Sequence, residues 1–267
     1  MDTASHQRYG DELFDALCSR QVVAPLTERE PEISIDDAYH ISRRLFERRL
    51  AAGEQLIGKK IGVTSKAVQN MLNVHQPDFG YLTDAMRFES GEPMPISQRL
   101  IQPRAEGEIA FILKRDLQGP LAGEAGDAVT PAQVIAATAS IHPCFEIVDS
   151  RVRDWQIKIQ DTISDNASSG LFVMGEGRSP TGFDFFSCGM VVEKNGAVIS
   201  TGAGAAALDS PLNCVAWLAN TLGAYGIGLK AGEVILSGSL VPLEPVVAGD
   251  QMRVSVAGLG RAEVFFE

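Results

Sequence analysis

The sequence predicts an α+β fold, with a smaller, mainly helical part over residues 1–95 and a β-rich body over 96–267. Three observations carry that reading. Helix-period runs dominate the first hundred residues. From about residue 100 the texture changes to short β-branched and aromatic runs punctuated by glycine. No repeat or low-complexity linker separates the two, so they are expected to pack closely together.

In chain order, "GDELFDALCSRQ" reads as a first helix. "SIDDAYHISRRLFERRLAAG" is a second: Ser34 is a suitable N-cap with Asp37 three residues on, apolar residues recur at Ile35, Ala38, Ile41 and Leu45, and Gly53 can end it. "QLIGKKIGV" is a short strand carrying Lys59 and Lys60, and "SKAVQNMLNV" is a third helix. The β-rich body offers "EIAFIL", "CFEIV", "GLFVMG", "EVILSGSL" and "QMRVSVAGLGRAEVFFE" as strands. In "VVEKNGAVIS" the Asn195-Gly196 dipeptide predicts a hairpin turn. Two helices interrupt them, one from Pro131 after the cap Thr130, and one over "SPLNCVAWLANTLGAYG", with Ser210 as cap and Pro211 in the first turn.

A chain of 267 residues with 45% hydrophobic residues has ample material for a core. The formal charge of -11 argues against a nucleic-acid or anionic-membrane partner, which calls for a basic patch. The most basic run, "SRRLFERRL", alternates arginine with apolar residues and reads as the solvated face of one helix. Cys18, Cys144, Cys188 and Cys214 show no metal or redox spacing, so reduced, buried thiols are expected. No secretory signal is evident, and no apolar run approaches the roughly 20 residues needed to cross a bilayer. The expected compartment is the cytoplasm.

The stretch "PRAEGEIAFIL" raises a chemical question. Alternation puts Glu106 and Glu108 on one face of a strand with Ala110 and Ile112, and Ile109, Phe111 and Leu113 on the other. Two carboxylates beside apolar surface are costly without a cation, a shared proton or a basic partner. Glu146, inside "CFEIV", is a candidate third acid. Three carboxylates on buried strands suit a hard divalent cation, Mg²⁺ or Mn²⁺, with open positions for a chelating substrate. Salt bridges to Arg104, Arg151 or Arg153 are the competing reading. Lys60, among glycines and apolar residues, is either a partly buried cation for a substrate carboxylate or enol oxygen, or a surface lysine. Asp78, after Pro77, is either an acid/base group or a turn-former. "QDTISDNASSG" groups Asp161, Thr162, Asp165, Asn166 and Ser168 in a ligand loop or an ordinary one. Ser237 and Ser239, at a strand end, present the same pair of readings. Of the histidines, His75 is the one with a catalytic reading, while His142 is expected to cap or pack near a helix end. Nucleophile-elbow, phosphate-loop, dinucleotide and zinc motifs are absent from the sequence.

Four stretches, "KKIGVTSKAVQNMLNVHQPDFGYL", "LIQPRAEGEIAFIL", "CFEIVDSRVRDWQIKIQDTISDNASSG" and "STGAGAAALDSPLNCVAWLANTLG", strongly resemble the 2-hydroxypenta-2,4-dienoate (2-oxopent-4-enoate) hydratases of bacterial meta-cleavage pathways, a group within the fumarylacetoacetase-like superfamily. The likeness covers nearly the whole chain. It implies a mixed β-roll C-terminal domain beside the helical N-terminal part, and a divalent metal, Mg²⁺ or Mn²⁺, on Glu106, Glu108 and Glu146, with no departure at those positions. It implies catalytic roles for Lys60 and Asp78, and Asp161, Thr162 and Ser237 are the candidate substrate-binding residues. The implied reaction ketonises a small 2-hydroxydienoate by protonation at C5 and adds water at C4, giving 4-hydroxy-2-oxopentanoate. A homo-oligomer and association with 4-oxalocrotonate decarboxylase are also implied.

The related 4-oxalocrotonate decarboxylases are the nearest alternative, but they typically lack the aspartate that "QPDFG" supplies at Asp78. An acylpyruvate-type C–C hydrolase and a non-catalytic partner subunit are more distant alternatives.

Overall fold

The structure, a computed structural model, describes residues 1–123 and 126–267. Its helices are α1 (Thr3–Ser19), α2 (Leu26–Arg29), α3 (Ile35–Ala51), α4 (Lys66–Leu72), α5 (Ile96–Arg99), α6 (Pro131–Ala137), α7 (Ile159–Ser164) and α8 (Pro211–Gly223). Its strands are β1 (Leu56–Gly62), β2 (Asp78–Thr83), β3 (Arg87–Glu89), β4 (Pro93–Met94), β5 (Arg104–Leu113), β6 (Thr138–Val148), β7 (Leu171–Met174), β8 (Gly189–Lys194), β9 (Ala197–Ala203), β10 (Val234–Leu236), β11 (Glu244–Pro245), β12 (Gln251–Val256) and β13 (Gly260–Phe266).

The helix ends follow the expected capping chemistry. Ser34 accepts from the Asp37 amide while Asp37 accepts from the Ser34 amide, and Thr130 and Gln133 form the same reciprocal box. Helix α1 starts well before the apolar run that signalled it, because Asp2 caps it through the Ser5 amide. Cys18 in its last turn is exposed, whereas Cys144, Cys188 and Cys214 are buried as expected. The arginine run of α3 is not wholly solvated: Arg49 is buried, ion-paired to Glu54 and bonded to Thr83.

An eight-stranded sheet runs in the order β2-β1-β10-β5-β6-β7-β3, with β11 also on β5, and a second sheet of five strands runs β4-β13-β12-β8-β9. The strands within 1–95 are therefore not a separate layer. β1 pairs in parallel with β10, register Lys60 to Leu236, and antiparallel with β2, register Gly62 to Asp78. This edge-to-edge union carries Lys60 and Asp78 onto the sheet that holds the glutamates. The hairpin predicted at Asn195-Gly196 joins β8 to β9, with positive φ at both residues.

The two faces of β5 differ as its alternation requires. Ile109, Phe111 and Leu113 enter the main core with Phe145 and Ile147, the α8 residues Val215 and Leu218, and Val254 and Val264 of the second sheet. Burial of a side chain such as Phe111 contributes about 1.5–3 kcal/mol. On the opposite face Ala110 joins Cys144, Phe172 and Leu236 in a smaller cluster, and the acids lie beside it. The core thus holds the sheet rigid from one side and leaves the other side for a site.

Candidate active site

Antiparallel pairing of β5 with β6 sets Glu106 directly opposite Glu146 and Glu108 opposite Cys144. Paired residues share a face, so all three carboxylates converge, with one oxygen from each lying within 4.8 Å of the others. Glu108 and Glu146 are buried, at 0% and 1% exposure, whereas Glu106 is half-buried and lines a cavity. Glu108 Oε2 accepts from the Gly238 amide at 2.8 Å. Its Oε1 and both Glu146 oxygens are buried without a hydrogen-bond partner. Like charges directly opposed on a ladder are destabilising, and buried carboxylate oxygens without donors are more so. The donor set, oxygen-only and triply acidic, fits a hard divalent cation.

Desolvation raises the Glu106 carboxyl to about 7, offset in part by Lys60, and raises Glu146 to about 8. Glu108 is pushed well above the usual carboxylate range by desolvation first and by Glu146 and Glu106 next. Without a cation, these groups therefore hold protons near neutral pH.

Lys60 is 3% exposed. Its Nζ donates to the Ala167 carbonyl at 2.9 Å and lies 3.4 Å from Glu146 Oε2. Desolvation, the largest influence, works to lower its pKa, yet Glu146, Asp78, Glu106 and Glu108 together raise it above the ordinary lysine value. Lys60 is a fixed ammonium ion. Asp78, 1% exposed, has both oxygens buried without a partner, and burial raises its pKa against the opposing pull of Lys60. Gly62 makes the arrangement sterically feasible: a Cβ there would lie 2.3 Å from Asp78 Oδ1 and 3.1 Å from Lys60 Nζ.

Lys60, Asp78 and Glu106 face a cavity of about 590 Å³, whose wall also includes Thr162, Ala167 and Ser168, while Glu108 and Glu146 are buried next to Glu106 and off that wall. Arg104, Val63, Val148, Ile157 and Leu243 line it as well, and Trp155 closes part of the wall with its ring 4.7 Å from the Arg104 guanidinium carbon. None of the arginines considered as partners for the acids takes that role. Arg151 pairs instead with Asp165 and Asp149.

The other predicted residues separate. Thr162 reaches the cavity and shares a hydrogen bond with Ser168 at 3.0 Å. Asp161 is not on the wall: its oxygens accept from the Thr27 amide and hydroxyl and from the Lys158 amide, tying α2 to the start of α7. Ser237 Oγ is buried without a partner one residue before the Gly238 amide that serves Glu108, and it too lies off the wall. His75 is exposed and off the wall. His142 sits within β6, bonded to Ser140 and the Gly175 carbonyl, rather than at a helix end.

Sequence reasoning missed the acceptor for Lys60. It is a backbone carbonyl in a turn where Asn166, Ala167 and Ser168 all have left-handed φ, between 52° and 54°. Such residues cost on the order of 1–2 kcal/mol each, and three in succession require strong fixation. The one sequence signal was the Asp-Asn-Ala-Ser-Ser cluster.

The family model described as fumarylacetoacetate (FAA) hydrolase C-terminal matches residues 57–265. The chain is 67% identical over 228 residues to a 2-hydroxypent-2,4-dienoate hydratase of Pseudomonas putida, covering 85% of this chain and 100% of that one. It is 54% identical over 259 residues to a 2-hydroxyhexa-2,4-dienoate hydratase of Comamonas testosteroni, covering 96% of each. The solved structure of 4-oxalocrotonate decarboxylase from Pseudomonas putida G7, complexed with magnesium and adipate, superposes with a TM-score of 0.94 at 32% identity, covering 100% of this chain and 99% of that one. Fumarylpyruvate hydrolase from Pseudomonas aeruginosa, in complex with Mn²⁺ and pyruvate, shares the fold at 13% identity and a TM-score of 0.61, covering 79% of this chain and 88% of that one. From its motifs, its fold and these relatives, the chain belongs to the fumarylacetoacetate hydrolase family.

Proposed function

We propose that this protein is a metal-dependent hydratase that converts 2-hydroxypenta-2,4-dienoate to 4-hydroxy-2-oxopentanoate in the meta-cleavage degradation of aromatic compounds. The observation that carries this is a cluster of three buried or half-buried carboxylates that reaches one cavity through Glu106, where the buried ammonium of Lys60 and the buried carboxyl of Asp78 also line the wall. The hydratase relatives, matched over 85% and 96% of this chain, supply the reaction class.

Glu106, Glu108 and Glu146 would hold Mg²⁺ or Mn²⁺. When bound, the cation supplies Lewis acidity toward the substrate's carboxylate and neighbouring enol oxygen. The chain's own residues supply the remaining steps. Lys60, kept cationic by the surrounding carboxylates, donates to the enol oxygen and holds negative charge there as the C2 hydroxyl gives up its proton to bulk solvent. Asp78, a buried carboxyl whose pKa is raised by desolvation against the pull of Lys60, delivers a proton to C5 to give 2-oxopent-3-enoate. Once deprotonated it accepts a proton from the water that adds to C4, which restores its acid form, and C3 takes a proton from bulk solvent in place of the one the C2 hydroxyl released. The net change is addition of one water across C3–C4 of the ketonised substrate. Thr162 and Ser168 on the wall supply hydroxyls for orienting the substrate, with Ser237 and Asp161 supporting the site from behind it.

Partner assignments follow from the same reading. The substrate is a small anion, neutralised locally despite the chain's net charge of -11. The open edge of β9, with Val198 62% and Ile199 39% exposed, suits contact between copies of the chain, and association with a 4-oxalocrotonate decarboxylase is a further assignment. The proposed compartment is the cytoplasm, and among the described residues no helix is long and apolar enough to cross a membrane.

The test follows the ultraviolet absorbance of freshly generated 2-hydroxypenta-2,4-dienoate with chelator, Mg²⁺ or Mn²⁺, and identifies the product. Metal-dependent loss of the dienol with formation of 4-hydroxy-2-oxopentanoate is expected. An untouched dienol beside release of CO₂ from 4-oxalocrotonate would overturn the hydratase assignment.

A further inference from the structure

We infer that Asn166 is a positioning residue that locks the Lys60 ammonium to the strand carrying Asp78; the kinetic half of this inference rests on the function proposed above. Asn166 is 1% exposed and its side chain clamps the backbone of Tyr81 from both sides. Its Oδ1 accepts from the Tyr81 amide at 2.8 Å, and its Nδ2 donates to the Tyr81 carbonyl at 2.9 Å. Tyr81 lies in β2, three residues after Asp78. The next residue in the turn, Ala167, presents its carbonyl to Lys60 Nζ at 2.9 Å. One side chain therefore fixes the distance between the strand of Asp78 and the acceptor of Lys60.

The rest of the turn is built to hold this contact. Arg151, 2% exposed, donates through Nε to Asp165 Oδ1, through Nη2 to the Asp165 carbonyl and through Nη1 to the Ser169 carbonyl. The guanidinium thus brackets the three left-handed residues at both ends. The Ser169 hydroxyl donates to the Asn166 carbonyl at 2.7 Å, and the Asp149 amide donates to the Ser168 carbonyl at 2.9 Å. Gly80 permits the close approach, since a Cβ there would lie 2.4 Å from the Asn166 carbonyl oxygen. A strained segment that is over-determined from every side and ends on a buried cation is the pattern of a pre-organised site. Lys60 sits on a long flexible stem, and its orientation is fixed only by what it bonds.

Asn166→Gly tests the clamp directly, because glycine adopts the left-handed backbone without strain and removes both bonds to Tyr81. The readout independent of activity is NMR of protein labelled with ¹⁵N-lysine, with the Lys60 ammonium signal assigned through Lys60→Met. Lys59 is an internal control: it is equally buried but pairs with Glu233 at 2.6 Å on the opposite face. In Asn166→Gly the Lys60 signal should shift or broaden while that of Lys59 stays in place. On the dienoate, kcat should fall at least about 30-fold with KM and Mg²⁺ affinity within about twofold. Asn166→Asp, which retains the acceptor for the Tyr81 amide, should lose less.

Unchanged signals for both lysines would overturn the inference, as would loss of both, which would make Asn166 a residue of the whole fold. A Lys60 signal that moves while kcat stays at the wild-type value would uphold the clamp and count against the catalytic role of Lys60 instead.

Discussion

Glu106 and Glu146 stand directly opposite each other across the β5–β6 ladder, a pairing of like charges on one face of a sheet. Such a pair is unfavourable unless it is neutralised by protons or a cation. The same geometry therefore determines several properties of the protein.

Substitution of Glu146 by Gln removes one anionic ligand and the partner of Lys60 while keeping the shape of the side chain. Mg²⁺ affinity, read by calorimetry, should fall at least about 100-fold, beyond what loss of an outer contact usually costs. The metal-free variant should melt at or above the wild-type temperature at pH 8, because a repulsive charge has been removed. A variant that binds Mg²⁺ as tightly as wild type would remove Glu146 from the ligand set.

The raised pKa values of the acids make metal-free stability depend on pH. Glu106 and Glu146 titrate at about 7 and about 8 in the folded protein against 4.5 in the unfolded chain. Between those limits the folded state holds protons that the unfolded chain has lost, so stability of the metal-free protein declines as pH rises from about 4.5 to about 8. A cation needs the deprotonated carboxylates, so Mg²⁺ binding at pH 7 should release roughly two protons from the three acids, and its apparent affinity should climb through the same window. Melting curves with and without Mg²⁺ across pH 5 to 8.5 should therefore diverge toward the alkaline end. Parallel curves would show that the acids do not titrate in this range.

Asp78→Asn keeps the size of the side chain and removes its ability to exchange a proton. Turnover of the dienoate should fall about 10²–10⁴-fold with the Mg²⁺ affinity nearly unchanged, the range typical for loss of a general acid/base group. Equal losses in metal binding and in kcat would instead assign Asp78 to the support of the metal site.

Much of this site was legible in the sequence because strands impose alternation. The two-residue spacing of Glu106 and Glu108 placed both on one face, and the apolar run around Glu146 marked it as lying on another buried strand. The capped helices were legible for the same local reason, since Ser34 and Thr130 announce themselves through residues three positions on. What one sequence does not encode locally is which strands become neighbours. The β1–β10 pairing joins residues more than 170 positions apart and delivers Lys60 to the acids. Asp161 shows the limit from the other side: its type suited a ligand, but Thr27 of α2, 134 positions away, and the local Lys158 amide at the start of α7 occupy both its oxygens. The Ala167 carbonyl carries no side-chain signal, so its role was visible only in the fold.

Lys59 and Lys60 are adjacent, equally buried and on opposite faces of β1, and they should fail in different ways when replaced. Lys59 is paired in register with Ile235, which in turn faces Phe111, so its side chain points to the main core. Its Nζ meets Glu233 Oε1 at 2.6 Å. Lys59→Met leaves Glu233 without its cation in a buried position, and removal of one partner of such a pair costs about 3–5 kcal/mol. The variant should melt well below wild type yet keep near-normal kcat per folded molecule. Combining it with Glu233→Leu removes the unpaired charge and should restore most of the lost stability. Lys60→Met should do the reverse. Turnover should fall about 10²–10⁴-fold, and the melting temperature with Mg²⁺ bound should change little, because the cation takes over the neutralisation of Glu146. If the two variants lost activity and stability in equal proportion, the division of β1 into a structural and a chemical face would be wrong.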